Sequence, residues 1–316
     1  MEWVLDRGKN NSFKGYLCVV LAALMWASSG TAGKALFDGG MSPFDLVQIR
    51  VTIASAVIFS VIFFLSRDLL RIRPKDIPFF LLLGGVAMAL VTGSYLYTIS
   101  KIQVAAAILI QYLAPIFVAI YSMLFWKERP TVFKIIALFL AFGGCFLVVG
   151  GYSLELLDMN LLGILGGLTS AIAFAGYSLL GERAMHRYRP WSVIFYALAF
   201  SALTWHVAYR PFTYLTAGYS FEQWGWICYI AIIGTVLPFG LFFAGINHIR
   251  STRASITATL EPIFAGFLAF TLLGERLQLP QMIGGGLVII AIVLLQLQQE
   301  QNEMAPAMIR SRGKRS

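Results

Sequence analysis

The sequence predicts an all-α integral membrane protein, with ten transmembrane helices arranged as two inverted five-helix repeats. Three observations carry this. Of the 316 residues, 59% are hydrophobic and only 12% are charged, about half the charge of a soluble domain. The apolar residues gather in runs close to the ~20 that a helix needs to cross a bilayer. The first half also returns, altered, in the second. Leu113-Ala114-Pro115-Ile116-Phe117, followed by Glu128-Arg129, comes back 147 positions later as Leu260-Glu261-Pro262-Ile263-Phe264, followed by Glu275-Arg276. At the same offset Gly93 matches Gly240 and Ile99 matches Ile246. One residue of slippage aligns Gly15, Ala23 and Gly33 with Gly163, Ala171 and Gly181.

Span one (15–37) follows Lys9 and Lys14. It is too long for a secretory leader and lacks a small-residue cleavage site, so it reads as a retained helix. A turn separates it from span two (44–65), and a basic stretch separates that from span three (77–99). Spans four (103–126) and nine (254–273) carry Pro115 and Pro262 in the repeated segment. Membrane helices tolerate such breaks where neighbours satisfy the freed backbone. Span five (131–150) holds Gly143-Gly144, span six (160–181) holds Gly163-x-x-x-Gly167, and span ten (279–298) holds Gly284-Gly285-Gly286. These are small-residue stretches that let helices approach closely. Spans seven (191–209) and eight (224–246) complete the set. Residues 1–14 are a short N-terminal segment, 15–150 the first repeat and 160–298 the second. Residues 299–316 form a basic tail that should be disordered. Cys18, Cys145 and Cys228 all lie in apolar runs and read as small core residues.

Charge sets the orientation. With the N-terminus in the cytoplasm, nineteen of the 24 Lys and Arg fall on the inner segments and the tail. Lys34, Lys101, Arg210 and Arg276 fall outside, and Arg50 falls within span two. Both termini are then cytoplasmic, which requires an even number of spans. Five helices per repeat is an odd number, so the second copy crosses in the opposite sense. Glu128-Arg129 therefore faces inside and Glu275-Arg276 outside. An inverted pair has two arrangements of similar energy, open to either side, and its site lies where the repeats meet. The net charge of +9 sits in short loops and is a matter of topology, not of a nucleic-acid partner.

The paired Pro-Ile-Phe segments at 115–117 and 262–264, each followed by Glu-Arg, resemble the EamA type of drug/metabolite transporter. The Glu261-Pro262 dipeptide, the Ala22-Ala23…Trp26-Ala27 opening helix and the Gly-rich spans five and ten fit the same likeness, which covers roughly residues 15 to 298. The resemblance implies ten helices in two inverted repeats. It implies a central cavity lined by helices one, three, four, six, eight and nine. It also implies secondary transport, often export, of small metabolites.

Glu261 is the sharpest chemical candidate. It lies about 10 Å into span nine at 1.5 Å per residue, where an ionised carboxylate costs roughly 2.5–3.5 kcal/mol or more. It is a candidate for proton or substrate binding. The alternative is a structural role, in a buried pair or as a cap for backbone donors. Pro262 and Pro115 free backbone carbonyls and are candidates for gating. Arg50, about 9 Å into span two, is placed to clamp a substrate carboxylate, to snorkel outward or to pair with Asp45. Lys34 snorkels at the end of span one. Trp26, Tyr95, Gln111, Tyr112, Phe174, Tyr177 and Phe239 are candidate contacts for a partly apolar substrate. Ser29, Thr31, Ser94, Thr98, Ser170, Asn247 and Thr257 are further polar candidates. The glycines are packing positions first.

His186, His206 and His248 are scattered. No zinc spacing, phosphate-binding loop or nucleophile elbow appears. No cofactor, metal or enzymatic activity is expected, and any pumping draws on a gradient. The expectation is a multi-pass exporter of the inner (plasma) membrane, working in the lipid bilayer on amino acids or related small metabolites, with a monomer plausible and the oligomeric state left open. One cation and one anion flanking an aromatic middle suit a zwitterion. Sugars, nucleosides and cationic drugs are the alternatives, and an intramembrane enzyme is the rival class.

Overall fold

The computed structural model describes residues 2–102, 104–127, 131–149, 151, 160–273, 278–297 and 305–312, and all regular structure among them is helical. The first half contains α1 (Glu2–Asp38), α2 (Pro43–Leu65), the short α3 (Ile77–Phe80) continuing through a π-helical stretch (Leu81–Met88) into α4 (Ala89–Lys101), α5 (Val104–Gln111), α6 (Ala114–Phe125) and α7 (Val132–Val148). The second contains α8 (Leu161–Met185), α9 (Pro190–Ala208) and α10 (Phe221–Ala231), which continues through a π-helical turn (Ile232–Val236) into α11 (Leu237–Thr257). A 3-10 turn (Ala258–Leu260) leads to α12 (Glu261–Leu273), and α13 (Leu279–Leu297) and α14 (Pro306–Arg312) follow.

Local chemistry sets several starts. Ser42 accepts from the Phe44 N–H, with Pro43 in the first turn of α2. Asn160 accepts from the Leu162 and Gly163 N–H groups to open α8. Ser220 and Gln223 form a capping box on α10. Seven helical stretches are long and apolar enough to cross a bilayer, while 132–148 and 279–295 are apolar but shorter. One of the seven, Phe221–Leu268, holds two of the expected spans. The outward faces carry large apolar side chains such as Phe64 and Phe139, 79% and 74% exposed, as lipid contact requires.

Packing links the two halves pair by pair. α1 packs on α11, and α8, the repeat partner of α1, packs on α4, the repeat partner of α11. The contacts correspond in detail. A Cβ on Gly15 would stand 2.7 Å from Ile249 Cγ2, and one on Gly163 would stand 2.5 Å from Ile102 Cγ2. In both pairs the two helices run antiparallel, as Gly15–Ile249 with Gly245–Val19 and Gly163–Ile102 with Gly166–Thr98 show. α7 packs on α13, where Gly144 and Gly284 lie so close that a Cβ on either would come within 2.7 and 2.5 Å of the other's carbonyl oxygen. Without a hydrophobic driving force between helices in lipid, such close backbone approach is a main source of association. A core of Leu, Ile, Val, Phe and Ala side chains runs between these pairs.

α1 begins at Glu2, so its helix extends beyond the apolar span Ser12–Gly30. Three expectations are corrected. The connection between spans eight and nine shrinks to Arg250, whose non-helical φ and ψ (68°, 165°) break an otherwise continuous α11. The tail is not disordered throughout: α14 forms, with Ala305 buried, because it docks on α8 and α11. Cys228 is exposed, whereas Cys145 is buried and Cys18 half-buried. Glu128-Arg129 and Glu275-Arg276 lie outside the described residues, as does most of the tail.

Candidate functional site

The repeated proline segment breaks its helix in both halves at the same place. Proline has no N–H, so the carbonyl four residues earlier loses its partner. Pro115 lies just after the gap between α5 and α6, and Pro262 lies just after the 3-10 turn, where the Ala258 carbonyl accepts from the Glu261 N–H. The first half adds donors to this turn. Tyr112 Oη lies 2.8 Å from the Ala258 carbonyl and 2.8 Å from Glu261 Oε2. Cys145 Sγ donates to the Thr259 carbonyl at 3.6 Å. The π-helical stretches before α4 and α11 also overlap at the repeat offset, and π turns recur at functional sites.

Pro115 and Glu261, at the two breaks, border one small cavity of about 60 Å³. Trp26, Arg50, Tyr95, Gln111, Tyr112, Pro115, Phe174, Phe239 and Glu261 all line it. Trp26 packs edge-on against Phe239 and Phe174, with ring centroids 5.1 and 6.0 Å apart. Gln111 Nε2 donates to Ser170 Oγ at 2.9 Å, which fixes the amide at the wall. Gly30, Gly33 and Gly234 also line it; a Cβ on Gly30 or Gly33 would meet nothing within 4 Å, whereas Gly234 packs against Ser29.

The polar accounting is uneven. Arg50 is 7% exposed, and its Nε has no hydrogen-bond partner. Tyr95 Oη and Trp26 Nε1 are buried and unpartnered too. Such groups are costly unless something pairs with them. No carboxylate pairs with Arg50 among the described residues. Asp45 accepts the Tyr219 hydroxyl at 2.8 Å instead. Burial and that bond push the Tyr219 phenol above its usual range, so it stays a donor. Tyr95 is near enough to interact with both Arg50 and Glu261.

Two candidates stand apart from the lining. Tyr177 is buried behind it, stacked on Phe243 at 4.5 Å and edge-on to Phe239 at 5.6 Å. Pro262 is absent from the wall and shapes it through the backbone. Ser94 bonds the Leu90 carbonyl, Thr98 the Ser94 carbonyl and Thr257 the Arg253 carbonyl, each within its own helix. Asn247 accepts from Arg310 at 2.5 Å, away from the cavity. The side chains of Thr31 and Lys34 lie outside the described residues. Thr92 and Ser255 line the cavity without having been singled out. Their only signal was a position one helical turn from Tyr95 and near Glu261.

The comparisons with known proteins agree with this geometry. The EamA-like transporter family profile matches residues 13–150 and again 161–297. The uncharacterized inner membrane transporter YicL of Salmonella typhimurium is 28% identical over 299 residues, 92% of this chain and 98% of that one. An uncharacterized transporter of Archaeoglobus fulgidus is 33% identical over 205 residues, 65% of this chain and 72% of that one. A solved crystal structure has the same fold, with a TM-score of 0.69 at 18% identity, covering 90% of this chain and 96% of that one. A doubled family match, relatives named as transporters and a polar cavity between broken helices agree: the chain belongs to the EamA-like transporter family and is a multi-pass membrane transporter.

Proposed function

We propose that the protein is a secondary transporter of ten transmembrane helices that exports amino acids or related small metabolites by alternating access. The two repeats, 15–150 and 160–298, cross the membrane in opposite senses, with both termini in the cytoplasm. The matched antiparallel pairs α1–α11 and α8–α4 support the inversion, as does the distribution of Lys and Arg.

The observation that carries the substrate reading is the unpaired Arg50 in the same cavity as Glu261, with aromatic rings between. Arg50, with Tyr95 and Trp26 as neighbouring donors, takes the carboxylate. The Trp26, Phe174 and Phe239 rings take the apolar body. Glu261 takes the ammonium group or a coupling proton, with Tyr112 holding one of its oxygens.

A thermal-shift screen of the purified protein in detergent tests this, with amino acids, sugars, nucleosides, polyamines and quaternary amines as ligands. A ligand at a hundredfold excess over Kd stabilises by about 2.7 kcal/mol. Amino acids should raise the melting temperature, and Arg50→Ala should weaken their binding about 10- to 100-fold. Transport by Glu261→Gln in proteoliposomes should lose its pH dependence. A response to sugars, nucleosides or quaternary amines alone, unchanged in Arg50→Ala, would overturn the amino-acid reading.

A further inference from the structure

On the side that carries α14, α6, α8 and α11 are tied together by contacts between residues outside the cavity lining. Glu182, near the end of α8, is 1% exposed. Its Oε1 accepts from Arg250 Nε at 3.0 Å and its Oε2 from the Ser251 N–H at 2.7 Å. Ser251 is the first residue after the break in α11, so this N–H is a donor at a helix start. A carboxylate from another helix therefore caps the segment that leads to Ser255 and Glu261.

Two further contacts close the same layer. The Arg250 guanidinium lies 5.6 Å from the Trp126 ring at the end of α6, and Thr252 Oγ1 donates to Ser122 Oγ at 3.3 Å. Three helices, α6, α8 and α11, thus converge on the break. Arg250 itself is held at φ 68° and ψ 165°, a region that is essentially glycine's and costs of order 1–3 kcal/mol for another residue. Such a residue persists only where its surroundings hold it.

The repeat gives the opposite end no equal. At the offsets that align the halves, Lys34 stands where Glu182 does, and Gln103 and Val104 stand where Arg250 and Ser251 do. A lysine has no acceptor for a backbone N–H. The sequence therefore provides this closure at one end only.

We infer that Glu182 and Arg250 form a one-sided gate: Glu182 is a positioning residue that locks the start of the Glu261-bearing helix, and release of its bonds to Arg250 and Ser251 opens the cavity toward the side carrying α14. The strained Arg250 is the spring of this gate, since its conformation relaxes when the carboxylate lets go. The inference rests on the alternating-access reading, and the test separates the two.

The test is cysteine labelling in membrane vesicles of both orientations, with a membrane-impermeant maleimide. Gln111→Cys, half-buried on the cavity wall, is placed in the full chain with Cys18, Cys145 and Cys228 replaced. With Glu182 intact, labelling should come mainly from the side opposite α14. Adding Glu182→Gln or Arg250→Ala should speed labelling from the α14 side at least tenfold, and Glu182→Asp should restore most of the protection. Unchanged labelling in both gate variants, with the opposite side still reactive, would overturn the gate and leave the transporter reading standing. Equal reactivity from both sides before any gate substitution would overturn the one-sided closure, and reactivity from neither side in any variant would overturn alternating access itself. If Glu182→Gln does not fold, Arg250→Ala keeps the Ser251 cap and decides the question alone.

Discussion

The two copies of the proline segment share a backbone and differ in chemistry. In the first, Ala114 precedes Pro115; in the second, Glu261 precedes Pro262. Each breaks its helix at the wall of the same cavity. Tyr112 in the first copy corresponds to Thr259 in the second. Tyr112 reaches across to the other half, to Ala258 and Glu261, whereas Thr259 turns back to the Ile256 carbonyl of its own turn at 2.6 Å. Proline sets the geometry in both copies, and single side chains then give one copy the acid and the other its donor. Repetition builds the frame, and departure from repetition makes the site.

Substitutions break or sharpen this comparison. The largest effect should fall where the frame is shared. Gly144→Leu and Gly284→Leu should each cost about 3 kcal/mol or more, since the first added carbon already meets the facing backbone. Both should abolish monodisperse protein in size-exclusion chromatography, and a clear difference between them would show that α7 and α13 do not share the contact equally. Next comes Tyr112→Phe, which takes the donor from the buried Glu261 Oε2 and should cost about 1–3 kcal/mol in a thermal melt. Thr259→Val, at the matching position, should cost under about 1 kcal/mol, because only a bond within its own turn is lost. Equal losses would mean that the two positions are not specialised. Between these two lies the paired test at Gly15 and Gly163. Alanine at either should cost about 1 kcal/mol and by similar amounts, since both press on the γ2 carbon of an isoleucine.

The helical membrane character was legible because apolar runs of span length have few other uses. The repeat was legible because its proline segments are nearly identical. Eight of the nine residues expected to contact substrate line one cavity, since polar and aromatic groups in mid-span are uncommon there. Tyr177 was misplaced because its neighbours on α8 are apolar all round, so no periodicity tells the wall from the layer behind. The partners of Arg50 were left open between Asp45 and a ligand, and Tyr219, 174 residues from Asp45, decides where Asp45 goes. The closure at Glu182 was hidden for the same reason. A carboxylate at a span end reads as an anchor until the fold brings Ser251 to it. The docked α14 is not legible because its apolar stretch is only four residues long and its contacts, Arg310 to the Met185 and Tyr188 carbonyls and to Asn247, are all distant in sequence.

The hydrogen bond from Tyr112 to the Ala258 carbonyl also bears on how the protein is made. Beside Pro262 the Ala258 carbonyl keeps only the tighter 3-10 bond from the Glu261 N–H within its own segment, and Tyr112 adds a second donor. In hydrocarbon no water is there to supply that second bond. The ribosome delivers Tyr112 about 146 residues before Ala258, so the donor already waits in the membrane when the broken helix enters. The first half acts as a template for inserting the second, and the reverse order of synthesis would leave the break exposed to lipid until its partner arrived.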